Sequence, residues 1–225
     1  MTARRREPLQ AIVARHPDRD VTACPGDIAD REAMLAIGEG LRARWGQIDV
    51  AVLNAGTYEQ VTPETFHADL FRRHLDVNVM GTVHCIEAVL PDMRRRHTGR
   101  IAVVASVTGY AALPKAEAYG ATKAFLISMC DSLRADLSPD GVKVTVIAPG
   151  FVRTPLTDQN EFAMPFLIDP DRAARTIANG LARSRDEIAF PLPMALLMKL
   201  LGMLPGPIAR RYLAGVARRR RAEGT

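Results

Sequence analysis

The stretch RIAVVASVTGYAALPKAEAYGATK, residues 100–123, decides the fold class. Its first six residues form a short Val/Ile-rich run with no polar alternation, and the run stops at Ser106. That is the pattern of a strand buried on both faces, as in a parallel sheet covered by helices. Residues 116–137 then carry apolar side chains at helical spacing.

The same alternation repeats outward. Residues 48–53 (IDVAVL) and 142–147 (VKVTVI) read as buried strands, each ending at Gly or Pro signals. Residues 187–190 are a further strand candidate and residues 20–24 a weaker one. Helical patterns occupy residues 30–44, after an Asp start, and 171–183, after Asp169-Pro170. Residues 63–96 read as one or two helices, with Pro63 near the first turn and Pro91 interrupting the end. Strands alternating with helices predict βαβ crossovers, hence one α/β domain over residues 1–225 with a doubly wound parallel sheet. Residues 190–225 form an apolar and then Arg-rich extension.

In such sheets ligands bind beyond the carboxyl ends of the strands. Asp27, Asn54-Ala55-Gly56, Ser106 and Pro149-Gly150 all fall there. Tyr119 and Lys123 stand at i and i+4, which places them on one helix face. An ammonium beside a phenol favours the phenolate and lowers its pKa, making the pair a proton-transfer unit for a carbinol or carbonyl. Alone, a Tyr/Lys pair at this spacing is usually a helix-surface coincidence, and its company gives it meaning. Ser106 precedes it at a strand end, where a hydroxyl could polarise a substrate oxygen, and Asn78 lies on the helix after Asn54-Ala55-Gly56.

In order and spacing these motifs resemble the short-chain dehydrogenase/reductase family, over about residues 4–185. The resemblance implies a Rossmann-like fold and an NADP-dependent oxidoreductase interconverting an alcohol and a ketone. It implies Tyr119 as general acid/base, Lys123 lowering its pKa and binding the nicotinamide ribose, Ser106 orienting the substrate oxygen, and Asn78 holding a water. Asp27 and Ile28 would meet the adenine, and Asn54, Ala55 and Gly56 the adenosine side. Pro149, Gly150, Val152 and Thr154 would wrap the nicotinamide end. Asp27 and Thr154 also suit plain turns and caps. NADP is expected over NAD, because Ala3 stands where NAD-preferring relatives carry an acid and Arg4 and Arg5 follow it. Dimers or tetramers through residues 63–96 and 116–137 are implied as well.

The sequence departs from the family at its start. Its members open with a strand and a TGxxxGxG loop whose backbone N–H groups hold the pyrophosphate, and no such motif is present here. Residues 3–9 resemble the end of the second strand and the start of the next helix. The first strand, the Gly-rich loop and most of the second strand are therefore expected to be missing, through a misplaced start or a truncated sequence. That would leave a gap between residues 20–24 and 48–53 and a marginal fold. It also keeps a rival function open, a cofactor-deficient or non-catalytic dinucleotide-fold binding protein.

Composition narrows the classes. The chain carries 48% apolar and 24% charged residues, and its net charge of +5 is carried by the six Arg among residues 210–221. Without them the body is nearly neutral and poor in aromatics, so no nucleic-acid partner is expected. Cys24, Cys85 and Cys130 show no ligand spacing, the five His form no cluster, and no metal or disulfide framework is expected. The start has no apolar signal-peptide core, and a cytoplasmic location is expected. The apolar stretch at residues 190–204 is too short to span a bilayer. It suits three uses: a cover for a lipophilic substrate, packing in the core or between subunits, or, with the Arg run, contact with an anionic membrane surface.

Overall fold

A computed structural model describes the backbone of residues 1–158 and 163–223. Four parallel strands, β1 (Val50–Leu53), β2 (Gly99–Val104), β3 (Val142–Pro149) and β4 (Glu187–Phe190), pair in the order β1-β2-β3-β4. The register sets Val52 beside Ala102, Ala102 beside Thr145, and Ile147 beside Ile188. Side chains of β2 and β3 are buried on both faces, as their unbroken apolar runs require. Ile101, Val103, Val144 and Val146 pack against Met93, Leu126 and Cys130 on one face. Ala102, Ile147 and Ile188 meet Ala173 and Ile177 on the other.

The helices are α1 (Arg6–Arg15), α2 (Arg31–Trp45), α3 (Ala68–His74), α4 (Gly81–Arg95), α5 (Glu117–Leu137), α6 (Pro170–Ala182), α7 (Leu192–Met203) and α8 (Gly206–Glu223). Asp30 caps α2, its Oδ1 accepting from the Ala33 N–H at 3.0 Å. Gly46 closes the same helix with φ +80°, a conformation that favours glycine. Pro170 opens α6 at a position where its missing N–H costs nothing.

Two expectations are corrected. Residues 63–96 are not one or two plain helices starting at Pro63. α3 starts after His67, whose Nδ1 accepts from the Leu70 N–H, and a π-helical turn, Leu75–Met80, joins it to α4. Pro91 lies inside α4 and does not end it; so near the C-terminus the ring removes one hydrogen bond and the last turn still forms. Residues 20–24 are not a strand either. A strand needs a partner, and among the described residues theirs is the short Met1–Ala3 segment: Met1 N donates to Thr22 O (2.8 Å), Cys24 N to Met1 O (2.8 Å) and Gly26 N to Ala3 O (3.1 Å).

Between this short parallel ladder and the outer edge of β1 lies a slot of about 430 Å³. Met34, Ile37 and Leu41 of α2 and Cys85 and Ala88 of α4 line it, together with β1 itself. Val50 and Val52 are each about half exposed, at 49% and 48%, unusually open for central-looking strand residues. The slot has apolar walls and one strand edge without a partner among the described residues, so an extended segment would both pair and be buried there. A strand-forming segment fused ahead of Met1 should raise the thermal unfolding midpoint by about 10 °C. That corresponds to several kcal/mol at roughly 2–4 °C per kcal/mol for a domain of this size. An unchanged midpoint in a calorimetric scan would contradict this reading of the slot.

Candidate active site

Three elements bring the site together. Ser106 follows β2 after one intervening residue, in an extended conformation, and its Oγ accepts from the Thr108 N–H at 3.2 Å. The same hydroxyl donates to Pro149 O at 3.4 Å, across to the end of β3. Tyr119 stands in the first turn of α5 and lines the same cavities as Ser106. Lys123, one turn further, is 3% exposed; its Nζ donates to Val104 O at 2.8 Å and lies 5.5 Å from the Tyr119 ring centroid. Among the described residues its other N–H bonds have no acceptor, so a ligand hydroxyl could take one.

Asn78 is fully buried in the π-helical turn, a local widening often found at functional positions. Its Oδ1 accepts from Thr57 N at 2.7 Å, and its Nδ2 donates to Thr57 O and to Thr122 Oγ1, both at 3.0 Å. Both amide protons are thus engaged. Asn78 fastens the Asn54–Gly56 loop to α5, and only one Oδ1 lone pair is left for the water that the resemblance implies. The loop comes close: a Cβ on Gly56 would stand 3.2 Å from Asn78 Oδ1 and 3.6 Å from Lys123 Nζ.

The electrostatics differ from the sequence expectation. Burial pushes the Tyr119 phenol up to about 12; the Ser106 hydrogen bond pulls the other way and Tyr58 adds to the rise. Tyr119 as a whole is only half-buried and borders two cavities. Burial also pulls the Lys123 ammonium down to about 8. Burial sets the direction of the Tyr119 shift, and Lys123 is not among its causes.

Two cavities meet at Ala55-Gly56, and the first of them also reaches Tyr119. One, of about 540 Å³, is lined by Asn54, Ala55, Gly56, Ser106, Lys123, Pro149, Gly150, Val152 and Thr154. Another, of about 520 Å³, shares Ala55 and Gly56 and is lined by Arg4, Arg5, Asp27 and Ile28. The sequence-predicted residues thus sort into two groups, one beside Tyr119 and one beside Arg4 and Asp27, that meet at one loop. Both groups fit the two ends of a nicotinamide dinucleotide, whereas no Gly-rich turn stands between them among the described residues. Several of these residues have local duties as well. Asp27 Oδ1 accepts from Ala29 N at 3.0 Å, and Ile28 O bonds His84 Nδ1 at 3.0 Å. Gly150 N donates to Phe190 O at 2.7 Å, Val152 bridges to Ile168, and Thr154 N donates to Thr157 Oγ1 at 2.9 Å.

A smaller cavity of about 90 Å³ lies on the other side of Tyr119 and Ser106. Its walls include Tyr58, Leu113, Pro114, Phe151, Leu156 and Met194, and no charged side chain lines it among the described residues. Tyr58 meets Tyr119 edge-on with ring centroids 5.1 Å apart. Thr108 Oγ1, also on this wall, is a buried hydroxyl without a hydrogen-bond partner among the described residues. The Met-rich stretch pointed to Met194. Tyr58 and Thr108 lie two residues beyond Gly56 and Ser106 and went unread, as did Phe151. No metal-type cluster occurs among the described residues.

The family model for short chain dehydrogenase matches residues 1–164. An "uncharacterized oxidoreductase" of Myxococcus xanthus is 36% identical over 207 residues, 91% of this chain and 82% of that protein. The chain spans less of others: 62% of an uncharacterized oxidoreductase of Staphylococcus saprophyticus, at 33% identity over 144 residues. A short-chain dehydrogenase from Streptomyces avermitilis superposes with a TM-score of 0.79 at 27% identity, covering 98% of this chain and 87% of that one. One from Sphingobium yanoikuyae, solved with NADPH, gives 0.77 at 26% identity, covering 95% and 84%. With the matched model spanning most of the chain and the strand-end site assembled as described, this protein belongs to the short-chain dehydrogenase family.

Proposed function

We propose that this site reduces a neutral, apolar ketone to an alcohol with NADPH. The observation that carries the reading is the convergence of Ser106, Tyr119 and Lys123 between an apolar cavity and a dinucleotide-sized one. The bound dinucleotide supplies the hydride. Ser106 donates to the substrate oxygen, and the Tyr119 phenol gives its proton to that oxygen as negative charge develops. A phenol near 12 is protonated at neutral pH, which supports the reducing direction. Lys123 binds a ribose hydroxyl and keeps a positive charge near the reacting oxygen. The small cavity has mostly apolar walls and no charged side chain among the described residues, which supports a neutral substrate.

The NADP preference rests on Arg4 and Arg5, which border the adenosine-side cavity with no acidic partner among the described residues. Basic groups at the start of α1 oppose its dipole, so their placement is better explained by an anion there. In the chain with its slot filled, R4Q/R5Q should weaken NADPH binding about tenfold, a loss of about 1.4 kcal/mol, and leave NADH unchanged. Tighter binding of NADH than NADPH by the parent would overturn the preference.

A second reading, a dinucleotide-fold protein that binds without turnover, is favoured by the lack of a Gly-rich turn among these residues. The two part on one comparison. Ketone-dependent consumption of NADPH by the slot-filled chain supports the enzyme; cofactor binding without consumption across neutral ketones supports the rival.

A further inference from the structure

α7 is apolar around its whole circumference except at Lys199. Its inner face, Met194, Ala195, Met198 and Leu201, is buried against Val107 and Phe151. Its outer stripe is Leu192, Leu196, Leu200 and Met203, exposed at 64%, 50%, 62% and 80%. These fall at i, i+4, i+8 and i+11, a single narrow face. Lys199 does not break that face's character, because it is held by Glu187 and lies over the Tyr110 ring. An all-apolar helix is stable only with both faces covered, so this stripe asks for an apolar partner.

α8 follows after only Leu204-Pro205. Residues 205–222 contain six Arg and no acid. At about 100° per residue, Ile208, Arg211, Tyr212 and Arg218 fall within roughly a third of its circumference. Ile208 and Tyr212 are exposed at 54% and 46%. The helix pair thus joins an uncovered leucine stripe to a concentrated positive charge. We propose that α7 and α8 form a docking surface for an anionic lipid bilayer, with the α7 stripe entering the acyl boundary and the Arg of α8 meeting headgroup phosphates. This goes beyond the proposed catalytic function and does not depend on it.

Charge decides against a second copy of the chain as the occupant. Face-to-face packing through this patch would double the Arg density with no acid in the segment to balance it. Insertion across the bilayer is not the mode, because among the described residues no helix is long and apolar enough to span it. The placement also connects to the site: Met194, on the inner face of the same helix, lines the apolar cavity beside Tyr119. An apolar substrate dissolved in the membrane would then be concentrated next to the cavity that receives it.

The test is flotation of the 225-residue chain with phosphatidylcholine vesicles, with and without about one-third phosphatidylserine. Binding to the anionic vesicles is expected at least tenfold tighter than to phosphatidylcholine alone, and to be lost in high salt. L196D/L200D and, separately, R210Q/R211Q/R218Q should each weaken it at least tenfold. Far-UV melting checks that each variant still folds; if the Leu pair does not, the Arg set alone decides. No binding to anionic vesicles, or equal binding to both compositions, overturns the proposal. So does a parent that sediments as a dimer, becomes monomeric on L196D/L200D and never floats, which would assign the stripe to a second copy.

Discussion

Y119F is expected to lower ketone reduction by about 10²–10⁴-fold while leaving dinucleotide binding nearly unchanged, the range usual for losing a general acid. The substitution keeps the ring, and with it the edge-on contact to Tyr58 and the position beneath the Lys123 ammonium. It removes the proton that the substrate oxygen must receive and the hydroxyl that carries it. Ser106 still donates to the oxygen, so residual polarisation remains, but the developing alkoxide has no acid within reach. The phenol is held near 12, so at pH 7 it is fully available as an acid. The loss should therefore be flat across neutral pH. Single-turnover measurement separates the chemical step from binding. Turnover within tenfold of the parent would remove Tyr119 from the proton-donor role.

K123M should have two opposite effects, a loss of turnover and a gain in stability. The ammonium is almost fully buried with one protein acceptor, Val104 O, and burial lowers its pKa from 10.5 to about 8. Each pKa unit corresponds to about 1.4 kcal/mol, so keeping it charged at pH 7 opposes folding by on the order of 3 kcal/mol. The folded-state pKa is depressed, so between about pH 8 and 10.5 the unfolded chain binds more protons than the folded one. Parent stability therefore rises with pH across that window, and the variant's advantage is largest below pH 8 and shrinks above it. Methionine has similar volume and no charge to bury. Turnover should fall by at least a hundredfold, because the ribose donor and the local positive charge go together. In the parent, reduction should also decline as pH rises through about 8, when Lys123 loses its proton. Thermal melting at pH 7 and at pH 10 reads the stability effect. A variant less stable than the parent at pH 7, with turnover retained, would contradict the account of Lys123.

Much of this was legible from the sequence because it depends on short-range pattern. Residues 100–105 and 142–147 read as strands because a run apolar on both faces has one comfortable place in an α/β sheet. Tyr119 and Lys123 read as a pair because helical spacing alone sets them on one face. Other features depend on what lies across the fold. Residues 20–24 carry strand chemistry, yet the neighbouring segment they pair with among the described residues is the three-residue Met1–Ala3. The π-helical turn that seats Asn78 has no composition signal, since its residues would suit an α-helix equally well. Tyr58, Thr108 and Phe151 come from separate loops that meet only around the cavity. The direction of the Tyr119 pKa could not be read from spacing, because it turns on how completely the surroundings exclude water. The two Arg that follow Ala3 are exposed and border a cavity.

Isotope tracing tests the central claim most directly. The slot-filled chain is incubated with NADPH carrying deuterium at the reacting carbon of the nicotinamide and with a neutral apolar ketone, and the alcohol is analysed by mass spectrometry. One deuterium on the carbinol carbon, with product formation falling by at least a hundredfold in Y119F, is the predicted result. Alcohol formed without deuterium, or formed equally well by Y119F, would contradict it.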